Sequence, residues 1–265
     1  MGAGYRAMET LPALFLSHGS PMLAIEPIGV NAFASNLAQE LPRPRAVLCV
    51  SAHWETLAPR VSAAASPATI HDFYGFPAEL YHLRYPAPGS PDLAERVAEL
   101  LGKGDIPCDI DPERGLDHGA WVPLMIMYPR ADIPIVQLSI QTGRDGAHHL
   151  AVGRALAPLR QEGILVVGSG NATHNLAERG PLEAAPVRWA QAFDDWLLEA
   201  VSEARTDELV DFLQAAPDAI RNHPTPDHYW PLIVALGAGG EGARGRRIYA
   251  GFTYGTLSMA AFAFA

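Results

Sequence analysis

The chain has 265 residues, and 19 Lys and Arg against 29 Asp and Glu give it a formal net charge of −10 at pH 7. This balance argues against a general binder of nucleic acid or of an anionic membrane surface. Hydrophobic residues make up 49% and charged residues 18% of the chain, a composition that excludes a disordered polymer and provides for a large core. The length and the scatter of proline and glycine favour a single domain over residues 1–265.

The cysteines and the apolar runs indicate where the protein works. Cys49 and Cys108 form neither a CxxC pair nor a disulfide framework, which is typical of the reducing cytosol. The N-terminal segment does not have the pattern of a secretory signal. No apolar run approaches the roughly 20 residues of a membrane span. We therefore expect a cytoplasmic protein without a membrane segment.

Apolar runs of strand length alternate with helical patterns along the chain. This alternation predicts an α/β fold in which helices flank a central, mostly parallel or mixed sheet. In chain order, the predictions are a strand at 14–16, a helix at 31–40, a strand at 46–50, helices at 90–101 and 120–127, a strand at 133–138, a helix at 146–161, a strand at 164–167, helices at 187–204, 207–213 and 226–236, and strands at 248–254 and 257–264.

Residues 69–89 form an aromatic-rich segment between prolines and glycines. A segment of this length inside a compact domain is typical of a functional lid or binding loop. A packed Ω-loop that covers the core explains the same composition. The sequence leaves both interpretations open.

Three histidines follow apolar strands at their polar ends. His18 and His53 come directly after the first two predicted strands, and His174 follows the strand at 164–167. Ligands of open α/β sheets bind beyond the carboxyl ends of the strands. If the three strands are parallel neighbours, the imidazoles converge on one crevice.

Two further histidines stand at predicted helix starts. His118 and His228 each follow an aspartate, Asp117 and Asp227, and each precedes an apolar helix. Aspartate is favoured as a helix N-cap, which accounts for the aspartates but not for the histidines.

Imidazole is a common ligand of zinc and of non-haem iron. An open site of either metal needs about three protein ligands, with positions left for substrate. The placement of the histidines therefore predicts a mononuclear metal enzyme. The spacing does not identify the metal, because the chain has no HExxH motif and no paired CxxC.

Six blocks of sequence, in order along the chain, resemble the class III extradiol ring-cleaving dioxygenases of the LigB type, in particular the bacterial 4,5-DOPA dioxygenase group. The blocks are Leu16 to Met22, Ser51 to Glu55, Asp72 to Pro77, Leu116 to Trp121, Gly168 to Leu176, and Asp227 to Tyr229.

The resemblance implies a role for each of the five histidines. His18, His53 and His228 would hold the metal, His174 would act as the acid/base residue, and His118 would contact substrate or dioxygen. The wider family uses two histidines and a glutamate as ligands, whereas the third position here matches His228. Asp227 or Glu55 remains open as a further ligand. The resemblance implies Fe(II) as the active metal, with Zn(II) as an alternative bound metal.

The implied reaction joins a small catechol and O2. With L-DOPA, 4,5-cleavage gives a semialdehyde that cyclises to betalamic acid, and 2,3-cleavage leads toward a muscaflavin-type product. Candidate substrate contacts are Arg84, Tyr229, Tyr74 and His71. Arg84 is flanked by tyrosines, whose rings could sandwich a catechol while the guanidinium pairs with a carboxylate.

Two other functions stay open at the level of sequence. Three histidines can also hold zinc with an activated water in a hydrolase. A binding protein that keeps the fold without the chemistry is the other alternative. The oligomeric state, monomer or small homo-oligomer, is also open. We expect His148 and His149 on a solvated helix face, and Trp121, Trp189, Trp196 and Trp230 in the core.

Overall fold

The computed structural model describes residues 10–265. The expectation about a secretory signal rests partly on residues 1–9 and lies outside the described residues. The strands are β1 (Ala13–Ser17), β2 (Ala46–Glu55), β3 (Arg60–Ser62), β4 (Asp109–Asp111), β5 (Ile135–Ile140), β6 (Ile164–Gly170), β7 (Gly245–Tyr249), β8 (Phe252–Thr253), β9 (Leu257–Ser258) and β10 (Ala261–Phe264). The α-helices are α1 (Gly29–Glu40), α2 (Ala78–His82), α3 (Pro91–Lys103), α4 (His118–Met127), α5 (Gly146–Leu156), α6 (Arg188–Ser202), α7 (Thr206–Val210), α8 (Phe212–Ala215), α9 (Ala219–Asn222) and α10 (Trp230–Ala238).

Eight of these strands form one mixed sheet in the order β4-β3-β5-β2-β6-β1-β10-β7. Strands β5, β2, β6 and β1 run parallel to one another. Strand β10 is antiparallel to both of its neighbours, β1 and β7. The carboxyl ends of β1, β2 and β6 therefore lie side by side at one edge of the sheet.

Helices cover both faces of the sheet, and each face has its own hydrophobic core. Leu14 and Leu16 of β1 pack on the side of α1 and α4. Ala13 and Phe15 of the same strand pack on the side of α3, α5, α6 and α10. Strands that are buried on both faces need continuous apolar runs. For this reason short hydrophobic stretches of the sequence predict these strands.

The predicted fold class is confirmed: the described residues form a single α/β domain with a mixed sheet between helices. The strands predicted at 14–16, 46–50, 133–138 and 164–167 correspond to β1, β2, β5 and β6. The helix predicted at 90–101 is α3, with the side chain of Ser90 accepting from the backbone N–H of Leu93 as its N-cap.

The C-terminal third differs from the prediction. The strand predicted at 248–254 breaks between β7 and β8, and the strand predicted at 257–264 breaks between β9 and β10. A turn with left-handed backbone at Tyr254 and Gly255 joins β8 to β9. The helix predicted to begin at residue 226 begins at Trp230 instead. Strands β3 and β4 have only three residues each and carried too short a pattern to be predicted.

The expectation of a solvated face for His149 is wrong. Its side chain is fully buried and stacks on Trp230, with ring centroids 4.8 Å apart and planes inclined by 9°. The Nδ1 atom of His149 donates to the carbonyl of Asp145, which removes its need for water. All four tryptophans expected in the core are buried.

The aromatic segment at 69–89 is ordered by its own contacts. It contains α2, and it is tied to the neighbouring chain by a parallel bridge between Thr69 and Leu116. Tyr85 is buried, and its hydroxyl lies 3.0 Å from the carbonyl oxygens of Leu124 and Tyr128. Part of the segment therefore completes the core. Within residues 10–265, no helix combines the length and the apolar character needed to cross a membrane.

Candidate active site

The carboxyl ends of three parallel strands bring three of the predicted histidines together. Strand β6 lies between β1 and β2, with Leu16 paired to Ser169 on one side and Ser51 paired to Ser169 on the other. His18 follows β1 directly, and His53 lies in the last residues of β2. The convergence expected from the strand ends is therefore present in the structure.

His118 and His228 reach the same place from helix starts. His118 is the first residue of α4, and the Asp117 carboxylate caps that helix by accepting from the backbone N–H of Ala120. Asp227 caps no helix, because α10 starts three residues later. Its carboxylate accepts instead from Nδ1 of His228.

Two glycines allow the segments that carry His118 and His228 to lie close to the strands. A Cβ on Gly170 of β6 would overlap the carbonyl oxygen of His228. A Cβ on Gly119 would come within 2.5 Å of Ser51 Oγ and 2.9 Å of His53 Cδ2. The absence of a side chain at both positions lets the segments that carry His118 and His228 pack directly on the strands.

The imidazoles form one compact cluster. Nε2 of His18 and Nε2 of His53 are 3.0 Å apart. The ring centroid of His228 lies 5.2 Å from that of His18 and 4.8 Å from that of His53. His174 stacks on His228 with centroids 3.3 Å apart. The ligand atoms of His18, His53 and His118 lie within 4.8 Å of one another, and so do those of His174, Asp227 and His228.

The outer nitrogens of the rings are held by hydrogen bonds. Ser169 Oγ donates to the carbonyl of Gly119, so it accepts from Nδ1 of His18, 3.0 Å away. Nδ1 of His118 donates to Asp72 at 2.9 Å, and Nδ1 of His228 donates to Asp227. A proton on Nδ1 leaves the Nε2 lone pair of each ring free, which is the tautomer that a metal ligand requires.

The inward nitrogens of His18 and His53 have the spacing of two ligands of one metal ion. Two imidazole nitrogens that each lie about 2.1 Å from a shared ion are about 3 Å apart, and this is the spacing of the Nε2 atoms of His18 and His53. Nε2 of His228 is buried and has no hydrogen-bond partner among residues 10–265. A buried acceptor left without a partner costs about 1–3 kcal/mol, a cost that a bound cation would remove.

Burial sets the charge of the cluster. Desolvation, with smaller contributions from the neighbouring imidazoles, places the pKa values of His18 and His228 well below the ordinary value. Desolvation also lowers the pKa of His53 to about 3 and that of His174 to about 4. Burial opposes ionisation of Asp72, but hydrogen bonds from His118 outweigh it and lower the Asp72 pKa to about 2. Near neutral pH these four imidazoles are therefore uncharged, as ligation requires.

The cluster opens into a cavity of about 230 Å³ with two unlike walls. One wall consists of the five histidines with Asn171. The other is made by surface segments, and it contains Phe73, Phe76, Leu176, Arg179, Tyr254 and Leu257. Such a cavity, with polar groups at one end and apolar walls at the other, suits a small aromatic molecule.

The structure does not bring the four candidate substrate contacts into this cavity. Tyr74 is 92% exposed, and Arg84 is exposed and donates to the carbonyls of Tyr81 and Leu83. His71 Nε2 lies 3.1 Å from the Leu83 carbonyl, behind the cavity wall. Tyr229 is fully buried, with its hydroxyl donating to the Leu209 carbonyl.

For these residues, closeness to the site in sequence does not give closeness in space, and the reasons are physical. Successive side chains near a helix start point about 100° apart, so Tyr229 faces the core while its neighbour His228 faces the cavity. Glu55, left open as a metal ligand, is exposed and accepts from Thr142 Oγ1 at 2.8 Å. Asp227 contacts the cluster through Nδ1 of His228.

Several residues of the site were not singled out by the sequence, among them Asp72, Asn171, Phe76 and Arg179. Asp72 bonds both the ring and the backbone N–H of His118. Asn171 Oδ1 accepts from the Gly19 N–H, and its Nδ2 is buried without a partner among residues 10–265. Phe76 and Arg179 line the outer wall. Asp72, Phe76 and Asn171 lie inside the blocks that carried the family resemblance, which was the available signal for them.

Comparisons with known proteins agree with this geometry. A family model described as the catalytic LigB subunit of aromatic ring-opening dioxygenase matches residues 12–264. A 4,5-DOPA dioxygenase extradiol of Beta vulgaris is 44% identical over 100% of this chain and 99% of its own. One from Escherichia coli K12 is 46% identical over 86% of this chain and 85% of its own. The crystal structure of an uncharacterized E. coli K12 protein, 38% identical, superimposes with a TM-score of 0.81 and covers 96% of this chain and 100% of that one. The chain therefore belongs to the family of catalytic LigB subunits of aromatic ring-opening dioxygenases.

Proposed function

We propose that this protein is an extradiol dioxygenase that cleaves L-DOPA between carbons 4 and 5 and uses one Fe(II) ion held by Nε2 of His18, His53 and His228. One observation carries the proposal: Nε2 of His228 is buried and unpartnered beside two Nε2 atoms that are 3.0 Å apart. The ring centroid of His118 lies 3.9 Å from that of His53 and 5.5 Å from that of His18. Its Nε2 atom is not buried without a partner as that of His228 is, so we assign His118 to substrate or dioxygen instead.

Fe(II), when bound, supplies a site for both catechol oxygens and the means to activate dioxygen. The protein then has to orient the catechol and move its protons. His174 lies in the cavity wall, stacked on His228, within reach of a hydroxyl of the bound diol. An imidazole can take a phenolic proton and return it during ring opening near neutral pH.

The remaining residues of the cavity support this chemistry. Asp72 fixes the ring of His118 through Nδ1, so that its Nε2 faces the cavity as a hydrogen-bond acceptor. The side-chain orientation of Asn171 is set by the Gly19 N–H, which leaves Nδ2 as a donor for a substrate oxygen. Phe73 and Phe76 pack around the aromatic ring of the substrate and exclude water from it.

The products follow from the chemistry of the bond that breaks. Both atoms of O2 enter the product, and the ring C–C bond beside the diol opens to a carboxylate and an aldehyde. With L-DOPA, carbon 3 becomes a ketone next to the new carboxylate. The amino group of the same molecule condenses with this ketone and water is lost, which gives betalamic acid with its aldehyde intact. The choice of L-DOPA rests on the names of the relatives from Beta vulgaris and E. coli.

The test is oxygen consumption by anaerobically Fe(II)-loaded protein given L-DOPA, catechol and protocatechuate in turn. The expected result is uptake of one O2 per ring-opened product, identified by mass, with 4,5-cleavage distinguished from 2,3-cleavage by the cyclised product. A His174→Ala variant should bind the metal and lose most of the uptake, whereas His148→Ala, changed outside the cavity, should match the parent. Zinc-dependent hydrolysis without oxygen uptake would replace the proposal with a hydrolase.

A further inference from the structure

The charges that line the cavity are all of one sign. Arg179 is the single Lys or Arg side chain in the cavity wall, and no Asp or Glu lines it, as far as residues 10–265 show. A bound metal ion would add further positive charge at the inner end. At the inner end, Asp72 and Asp227 accept from the outer nitrogens of the histidines and offset the charge of the metal. At the outer end, Arg179 lines the cavity without a carboxylate beside it, which favours an anionic group there over a cationic one.

Arg179 has no carboxylate partner of its own among the described residues 10–265. The adjacent carboxylate, Glu178, is already engaged by Arg221, whose Nε donates to it at 2.9 Å. The Arg179 guanidinium presents five N–H donors in a planar fork, a geometry that matches a carboxylate with two parallel hydrogen bonds. It is therefore available to an anionic group that enters the cavity.

A short segment fixes Arg179 relative to His174. The side chain of Asn175 accepts from the backbone N–H groups of Ala177 and Glu178 and donates to the Arg221 carbonyl. The N–H of Gly180 donates to the Tyr254 carbonyl at 2.8 Å, which anchors the far end of the segment. His174 stands at the half-buried end of this segment, and Arg179 stands at the exposed mouth of the cavity.

A catechol whose diol lies against the histidines would extend its ring substituent along the apolar wall toward Arg179. We propose that Arg179 binds a carboxylate on that substituent, and that the protein selects carboxylate-bearing catechols without recognising an ammonium group. This inference rests on the proposed function and adds a specificity-determining residue to it. The substituent of an amino acid such as L-DOPA carries a carboxylate and an ammonium group. The cavity has a charged partner for the carboxylate alone.

The experiment measures equilibrium binding to the Fe(II)-loaded protein under argon, where no turnover occurs. The ligands are L-DOPA, 3-(3,4-dihydroxyphenyl)propionate, dopamine and 4-ethylcatechol, which carry both charges, only the carboxylate, only the ammonium and neither. We expect the first two to bind alike and the last two about 10- to 100-fold more weakly, the range of a charge-assisted hydrogen bond.

Variants identify the residue responsible. Arg179→Gln should abolish the preference for carboxylates and leave the affinity for 4-ethylcatechol unchanged, and Arg179→Lys should keep part of the preference. Arg84→Gln is the matched control, because Arg84 is exposed and lies outside the cavity, and it should behave as the parent. Metal content and thermal unfolding of each variant verify that it is folded and loaded.

Three results would overturn the inference. A parent protein that binds all four catechols alike has no carboxylate site, and an Arg179→Gln variant that keeps the preference places that site elsewhere. Binding of L-DOPA more than about 10-fold tighter than the propionate would reveal an ammonium site. These outcomes leave the dioxygenase proposal standing, whereas failure of every catechol to bind or to be cleaved removes the proposed function and the inference with it.

Discussion

The two walls of the cavity are built in different ways. The inner wall stands on and beside β1, β2 and β6, whose backbone is buried, and the rings of His18, His118 and His228 are each held by a further hydrogen bond. The outer wall stands on surface segments, and its members Leu176 and Arg179 are exposed. Core packing therefore fixes the distances between the histidines of the inner wall, while the exposed residues of the outer wall can change without disturbing the core. A family can keep one chemistry on such a scaffold and vary its substrates.

The strongest test of this difference compares two neighbouring histidines. We expect His228→Ala to lose stoichiometric iron and all measurable oxygen uptake, because it removes the Nε2 atom that we propose as the third ligand. His118→Ala should keep the iron and lose activity alone, since we place His118 against substrate or dioxygen. Metal analysis after anaerobic loading and desalting measures the difference, and iron lost from His118→Ala but kept by His228→Ala would reverse the two roles.

The proposed acid/base residue, His174, should affect the rate and leave the metal in place when it is replaced. His174→Ala is expected to lower kcat about 10²- to 10⁴-fold, the usual range for removing a general acid/base. Single-turnover kinetics with the iron content measured in the same sample separates this loss from loss of metal. A variant that retains more than a tenth of the parent rate would contradict the role of His174.

Close packing beneath the inner wall predicts a smaller effect at a residue without functional groups. Gly170→Ala places a methyl group against the His228 carbonyl, so the segment must shift. We expect metal affinity to fall about 10- to 100-fold, as when a supporting interaction of a ligand is lost. Gly143→Ala has open space around the added methyl and is the control. An unchanged affinity for both would show that the His228 segment adapts freely.

The outer wall should tolerate substitution better. Phe76→Ala removes one aromatic contact with the substrate ring, and we expect the KM for catechols to rise about 2- to 10-fold, the range of an aromatic pair. Iron content and kcat should stay at parent levels. Loss of iron from this variant would mean that the two walls are not independent.

His149, which is buried behind the inner wall, should make the stability of the protein depend on pH. Activity near neutral pH should change little. Desolvation lowers the pKa of His149 to about 4, from about 6.5 in the unfolded chain. The unfolded state then binds more protons between these values, so stability is lost as pH falls from about 6.5 to about 4, by at most about 3 kcal/mol. Chemical unfolding across this range should show a shallower dependence in His149→Gln, and equal slopes would contradict the assignment.

The sequence predicted the inner wall and missed much of the outer one, for a physical reason. Strands position His18, His53 and His174. The apolar runs of these strands are recognisable in the sequence, and their carboxyl ends meet at one edge of the sheet. Arg179 and Phe76 reach the cavity from irregular segments outside the sheet, and that of Arg179 is held by a tertiary hydrogen bond from Gly180 to Tyr254. Arg84 and Arg179 are both able to pair with a carboxylate, so the sequence does not distinguish them. The fold places Arg179 in the cavity wall and Arg84 outside it.

The histidines at or near helix starts show what the local sequence does not determine. The cap predicted for Asp117 is present, whereas Asp227 bonds to His228 because α10 begins later than its apolar pattern suggested. His149 looked solvated from its helix position and its adjacent histidine, yet α10 packs over it through Trp230. For His149 the deciding contact therefore comes from a segment distant in sequence.

The most direct test of the metal site is anomalous diffraction at the iron edge from crystals of the anaerobically loaded protein. We predict one peak, about 2.0–2.2 Å from Nε2 of His18, His53 and His228, with His174 and His118 beside it but not bonded to it. A peak ligated by His18, His53 and His118, with Nε2 of His228 still unpartnered, would contradict the account.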